Sequence, residues 1–200
     1  MAVSSAAYYS NRTRGGRWLC PCRIESFRTR TIQVTDSQST VRGLVNVRKF
    51  IIGRPVLNET IRFLKKVGRT GAEGFVLWGG KLIATNTFQF TTAIVPVQHS
   101  HRTDRGLLVV VDGEALFKVN KALYERDEIL GGQVHTHPTS AYHSSTDDHY
   151  PLVTLGGALS VVLPDFARNA PADVAMWAWY RLMEYGKWKP INKTTKVVFK

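Results

Sequence analysis

Two segments with helical spacing, a series of short β-rich apolar runs around them and a length of 200 residues predict a mixed α/β domain with one central sheet flanked by helices. That length buries one sound core and leaves an appendage, not a second comparable domain. The first helix is expected over Pro55 to Val67, where Leu57, Ile61, Leu64 and Val67 share a face and Pro55 suits a first turn. The second is expected over Glu114 to Arg126, with Leu116, Val119, Leu123 and Tyr124 at the same period. Its acidic start favours the positive end of the helix.

The strand candidates are short. Gly74 to Trp78 and Lys81 to Thr85 read as a hairpin turning at Gly79-Gly80. Phe88 to Val97 and Leu107 to Val111 are rich in Val, Ile, Thr and Phe, and Asp112-Gly113 ends the second of them. Ile129 to His137 and Leu159 to Leu163 are apolar enough to be buried on both faces, and each ends in chemistry or a turn, His-Thr-His-Pro in one and Pro-Asp in the other. Between them Ser145 to Asp148 supplies cap residues for a short helix over Tyr150 to Leu155, with Pro151 in its first turn. Val174 to Met183 alternates around Trp177, Trp179 and Tyr180, and Lys187 to Lys200 closes the chain as a polar segment.

The formal charge of +12 suggests nucleic acid until it is mapped along the chain. Residues 1–54 contribute +8 of it, with Glu25 and Asp36 as their only acids, so the body of the protein is nearly balanced. Residues 1–42 therefore read as a basic N-terminal arm, 43–190 as the domain and 191–200 as a basic tail. The arm can attract phosphates or an acidic partner in a salt-dependent way. No stretch reaches the roughly 18 apolar residues of a membrane span, and Met1 to Ser10 lacks the apolar run of a signal peptide, so a cytoplasmic protein without a membrane partner is expected. Cys20 and Cys22 flank one proline and have no further cysteines to pair with, which excludes a disulfide framework and a structural zinc site.

The chemistry concentrates at His135 and His137. Two residues apart on a strand, their imidazoles point the same way and can chelate one ion. Asp148, eleven residues after His137, adds a carboxylate, and two histidines with one carboxylate leave a tetrahedral position for water, the pattern of a catalytic zinc. Such an ion would bring the pKa of its water to about 7. Asp147 is a rival ligand, because Ser144 and Asp147 repeat the Ser-x-x-Asp interval one residue earlier than Ser145 and Asp148. His99 and His101 form a second His-x-His, but no proline follows and Val109 stands where a serine would be needed, so they read as loop residues. His143 and His149 flank the motif and read as exposed rim residues, and the indoles of Trp177, Trp179 and Trp188 as core or lid.

His135-Thr-His137-Pro138, six residues, then Ser145-Thr-Asp-Asp148 resembles the JAMM pattern of the JAB/MPN-type zinc metalloproteases. The resemblance covers roughly Leu44 to Pro190. Glu73-Gly-Phe-Val-Leu-Trp-Gly-Gly80 is similar to the family's glutamate and the glycine-ended strand after it, with Val76 where a glycine often stands. Ser160 to Phe166 and the Trp-rich segment beyond resemble the stand-alone prokaryotic JAB branch that accompanies ubiquitin-like conjugation systems. The resemblance implies a deaminase-like topology and one zinc ion per chain on His135, His137 and Asp148. It implies Glu73 as general base and proton donor and Ser145 as the hydroxyl that steadies an oxyanion. It also implies a ubiquitin-like protein or its conjugates as substrate, with the activating and conjugating enzymes of that system as partners. A deaminase would need a His/Cys-x-Glu pair and Pro-Cys-x-x-Cys, and the chain has neither. A binding module that uses the basic arm beside a vestigial zinc site is the alternative from another class.

Overall fold

The computed structural model describes residues 43–103, 106–183 and 186–200. The basic arm over 1–42, with Cys20 and Cys22, lies outside the described residues. The described chain is a mixed α/β domain. Its elements run β1 (Lys49–Ile52), α1 (Arg54–Gly68), β2 (Phe75–Ala84), β3 (Thr87–Ile94), β4 (His99–Thr103), β5 (Gly106–Val110), α2 (Gly113–Tyr124), β6 (Ile129–Thr136), α3 (Ser145–His149), β7 (Leu159–Leu163), β8 (Ala178–Leu182), β9 (Trp188–Pro190) and β10 (Lys196–Phe199). Eight strands form one sheet in the order β10-β1-β3-β2-β6-β7-β8-β9, and β4 and β5 pair as a separate hairpin.

The sheet is covered on both faces because side chains of a strand alternate. On β2, Val76 and Trp78 enter a core with Val56, Ile61 and Leu64 of α1, and with Phe50, Phe88 and Phe90. Leu77 points the other way, into a smaller core with Val119 and Leu123 of α2 and with Val153 and Ala158. Inside the larger core Thr60 satisfies two groups at once: its hydroxyl donates to Val56 O at 2.8 Å and accepts from Trp78 Nε1 at 2.8 Å. α1 starts at Arg54 with Pro55 in its first turn as expected, and α2 is capped by Asp112, which accepts from Ala115 N at 2.7 Å.

Three expected elements differ. Gly79-Gly80 is not a turn: β2 runs straight through it with a register shift against both neighbours, and the reversal comes at Thr85-Asn86. Glycine is required there by close approach, since a Cβ at Gly79 would strike Leu123 and one at Gly80 would strike Gln89 O. Tyr150 to Leu155 is not helical. The helix is α3, and it stops before Pro151, which disfavours the helical conformation at Tyr150. Residues 191–200 are not a free tail: β10 pairs in parallel with β1, Lys49 opposite Lys196 and Ile52 opposite Phe199. Among the described residues no helix is long and apolar enough to cross a membrane.

Candidate metal centre

The site forms where β6 leaves the sheet. β6 and β7 run parallel, with His135 opposite Val162, and His137 N donates to Leu163 O at 3.0 Å just beyond the strand end. The turn after β7 holds the outgoing loop, with Phe166 N donating to His137 O at 2.9 Å and Asp165 N to Thr139 O at 2.8 Å. Asp165, Phe166 and Ala167 all have positive φ, between 49° and 58°, a conformation that side chains adopt only when their surroundings enforce it. Both histidines are buried, and His135 is further held by Phe75 of β2, whose ring stacks on it at 4.6 Å.

The carboxylate that meets them is Asp147. Its Oδ1 lies 3.3 Å from His135 Nε2 and its Oδ2 3.5 Å from His137 Nε2, and its side chain is 9 % exposed. One donor atom from each of His135, His137 and Asp147 lies within 4.8 Å of the other two. Asp147 is aimed by a capping box: Ser144 Oγ and Ser144 N both donate to Asp147 Oδ2 at 2.7 Å, and Ser144 Oγ accepts from Asp147 N at 3.2 Å. Burial by itself would raise the Asp147 carboxyl, but His135, His137 and Ser144 together hold it far below the usual carboxylate range.

Asp148, the ligand that the motif spacing favours, does not join the cluster. Successive residues on a helix point about 100° apart. Asp148 therefore faces outward, 54 % exposed, with Oδ1 2.9 Å from His143 Nδ1. The same one-residue shift affects the serine. Ser144 touches Asp147, whereas Ser145 is exposed on the first turn of α3 and its carbonyl meets His149 Nδ1 at 2.6 Å. His143 is likewise not a rim residue. Its side chain is 4 % exposed, and burial lowers its pKa, which keeps the ring neutral. His99 and His101 lie exposed on the β4–β5 hairpin, on a strand and not in a loop.

Glu73 reaches the site through strand register. Phe75 pairs with His135 in the antiparallel β2–β6 ladder, so the residue two earlier continues that register opposite His137. Gly74 N donating to Thr136 Oγ1 at 3.3 Å extends the pairing. Burial pushes the Glu73 carboxyl up to about 7; His137 pulls it down and Asp147 raises it further, so it senses both neighbours.

A bound cation fits this donor set. Two buried imidazoles and a carboxylate converge, and His135 Nδ1, His135 Nε2 and His137 Nδ1 have no hydrogen-bond partner among the described residues. Buried polar atoms left unpaired are costly, and a cation taking the Nε2 lone pair of each ring, where Asp147 meets them, pairs His135 Nε2. No family model matches the chain. Over 149 residues, 74 % of this chain and 91 % of the relative, the chain is 38 % identical to the probable metalloprotease y4jG of Sinorhizobium fredii. The chain belongs to this metalloprotease family. A metalloprotease requires a metal ion, and His135, His137 and Asp147 are the described residues that can hold one. Of the residues singled out by sequence, the fold thus brings together His135, His137, Glu73 and the rival pair Ser144 and Asp147.

Proposed function

We propose that the chain is a zinc-dependent peptidase of the JAB/JAMM type, hydrolysing an amide bond after the C-terminal tail of a ubiquitin-like protein. The observation that carries the reading is the buried His135, His137 and Asp147 cluster with the Glu73 carboxyl beside it. The donor set favours zinc, because imidazole suits it and three protein ligands leave a fourth position for water. Zinc, when bound, supplies a Lewis acid and brings the pKa of its water to about 7.

The chain's own residues do the rest. Glu73, poised near neutrality, takes a proton from the attacking water at its carboxylate and returns it to the leaving amine. The cap of Ser144, whose one hydroxyl proton goes to Asp147 Oδ2, keeps Asp147 on the histidines. Burial of His135 and His137, with the Phe75 ring stacked on His135, lowers the local dielectric and strengthens the charge interactions there. The ubiquitin-like substrate rests on the motif resemblance. Incubation with precursors and conjugates of such a protein, with and without chelator, tests it. Chelator-sensitive release of the tail is expected; intact substrates beside cleavage of an unrelated peptide would reassign the substrate class.

A further inference from the structure

Outside the metal-ligand set, the side chains of Gln133, Ser160, His143 and Asp148 form one directed hydrogen-bond chain. Gln133 of β6 and Ser160 of β7 are register partners, both buried in otherwise apolar strands. Gln133 Oε1 accepts from Leu152 N at 3.1 Å and from Val153 N at 3.2 Å, which fixes the end of the amide that is oxygen. Gln133 Nε2 must then donate, and Ser160 Oγ lies 3.2 Å away to accept. Ser160 has one proton left to give, and His143 Nε2 is 3.2 Å from it. A neutral imidazole that accepts at Nε2 carries its proton on Nδ1, and Asp148 Oδ1 is 2.9 Å from that nitrogen. Every link agrees in direction, from sheet to helix.

We propose that His143 is a positioning residue of the metal centre: fixed as the Nδ1–H tautomer by Gln133 and Ser160, it grips Asp148 and sets the rotation of α3 that turns Asp147 toward His135 and His137. The inference rests on the reading of those three residues as metal ligands. α3 has only five residues and buries no apolar side chain, so apolar packing does not orient it. Because Asp147 and Asp148 are successive, anchoring one carboxylate outward aims the other inward. Groups behind metal ligands commonly set ligand orientation in this way.

The tautomer is read by long-range proton–nitrogen NMR on metal-free protein, and affinity by competition of a chromophoric chelator for zinc. The expected result is an Nδ1–H His143 whose preference is lost in Ser160→Ala. Zinc binding is expected to be about 10–100-fold weaker in His143→Ala and in Asp148→Ala, and within about three-fold of the parent in Asp148→Asn, whose amide oxygen still accepts from Nδ1. Asp148 is half exposed, so its variants keep the test independent of core folding. An Nε2–H tautomer, or Asp148→Ala with parental affinity, overturns the proposal. A parent protein that takes up no zinc overturns the metal reading instead, while the tautomer still decides the relay.

Discussion

Two of the places where the domain buries polar groups treat them oppositely. Arg181 on β8 is 6 % exposed, and its guanidinium is used up locally: it donates to Gly157 O, Leu44 O, Val45 O and Thr195 Oγ1 and lies over the Phe50 ring at 5.4 Å. His135 and His137, as deeply buried, keep three ring nitrogens without a hydrogen-bond partner among the described residues, and both turn Nε2 toward Asp147. A satisfied buried polar group holds the chain together; two incompletely satisfied imidazoles whose Nε2 atoms converge on a carboxylate are arranged for something else to bind.

That contrast can be broken from either side. The largest effect is expected from Glu73→Gln, which should slow peptide hydrolysis by about 10²–10⁴-fold while zinc binding persists, as read by steady-state kinetics beside metal analysis. At the other place, Arg181→Met should cost about 1–3 kcal/mol of stability, because it takes the guanidinium donor from Gly157 O and Val45 O and leaves Leu44 O with Val47 N alone, yet leave zinc affinity unchanged; urea unfolding and chelator competition check both halves.

How much of this was legible in the sequence follows from which physical rule decides each feature. The alternation of a strand puts His135 and His137 on one side with no structural knowledge, and the periods of α1 and α2 are as plain. Spacing from His137 favours Asp148 over Asp147, yet Ser144-x-x-Asp147 and Ser145-x-x-Asp148 are equally good caps, and the rotation of α3 puts Asp147 on the histidines. His143 had a signal that spacing hides: Gln133 and Ser160 are polar residues inside apolar strands, and such groups need partners. The Gly79-Gly80 pair mimics a turn because glycine answers both to turns and to close packing, and only the neighbouring Leu123 and Gln89 tell which. β10 was hidden by its polar flanks, Lys196 and Lys200, which suit an edge strand.

A smaller effect sharpens the comparison through pH. In chelator-treated protein, burial pushes the Glu73 carboxyl from its ordinary 4.5 up to about 7, so the fold favours its protonated form. Stability is therefore expected to fall as pH rises from about 4.5 to 7 and to level off above, where Glu73 is ionised in both states. Glu73→Gln should remove that part of the slope in urea titrations at pH 5 and pH 8.

The most direct test is zinc stoichiometry by elemental analysis of the parent, Asp147→Ala and Asp148→Asn after equilibration and desalting. One ion per chain in the parent and in Asp148→Asn, with loss in Asp147→Ala, is the predicted result. Retention of the ion by Asp147→Ala, or its loss only in Asp148→Asn, would contradict the assignment of His135, His137 and Asp147 as the metal centre.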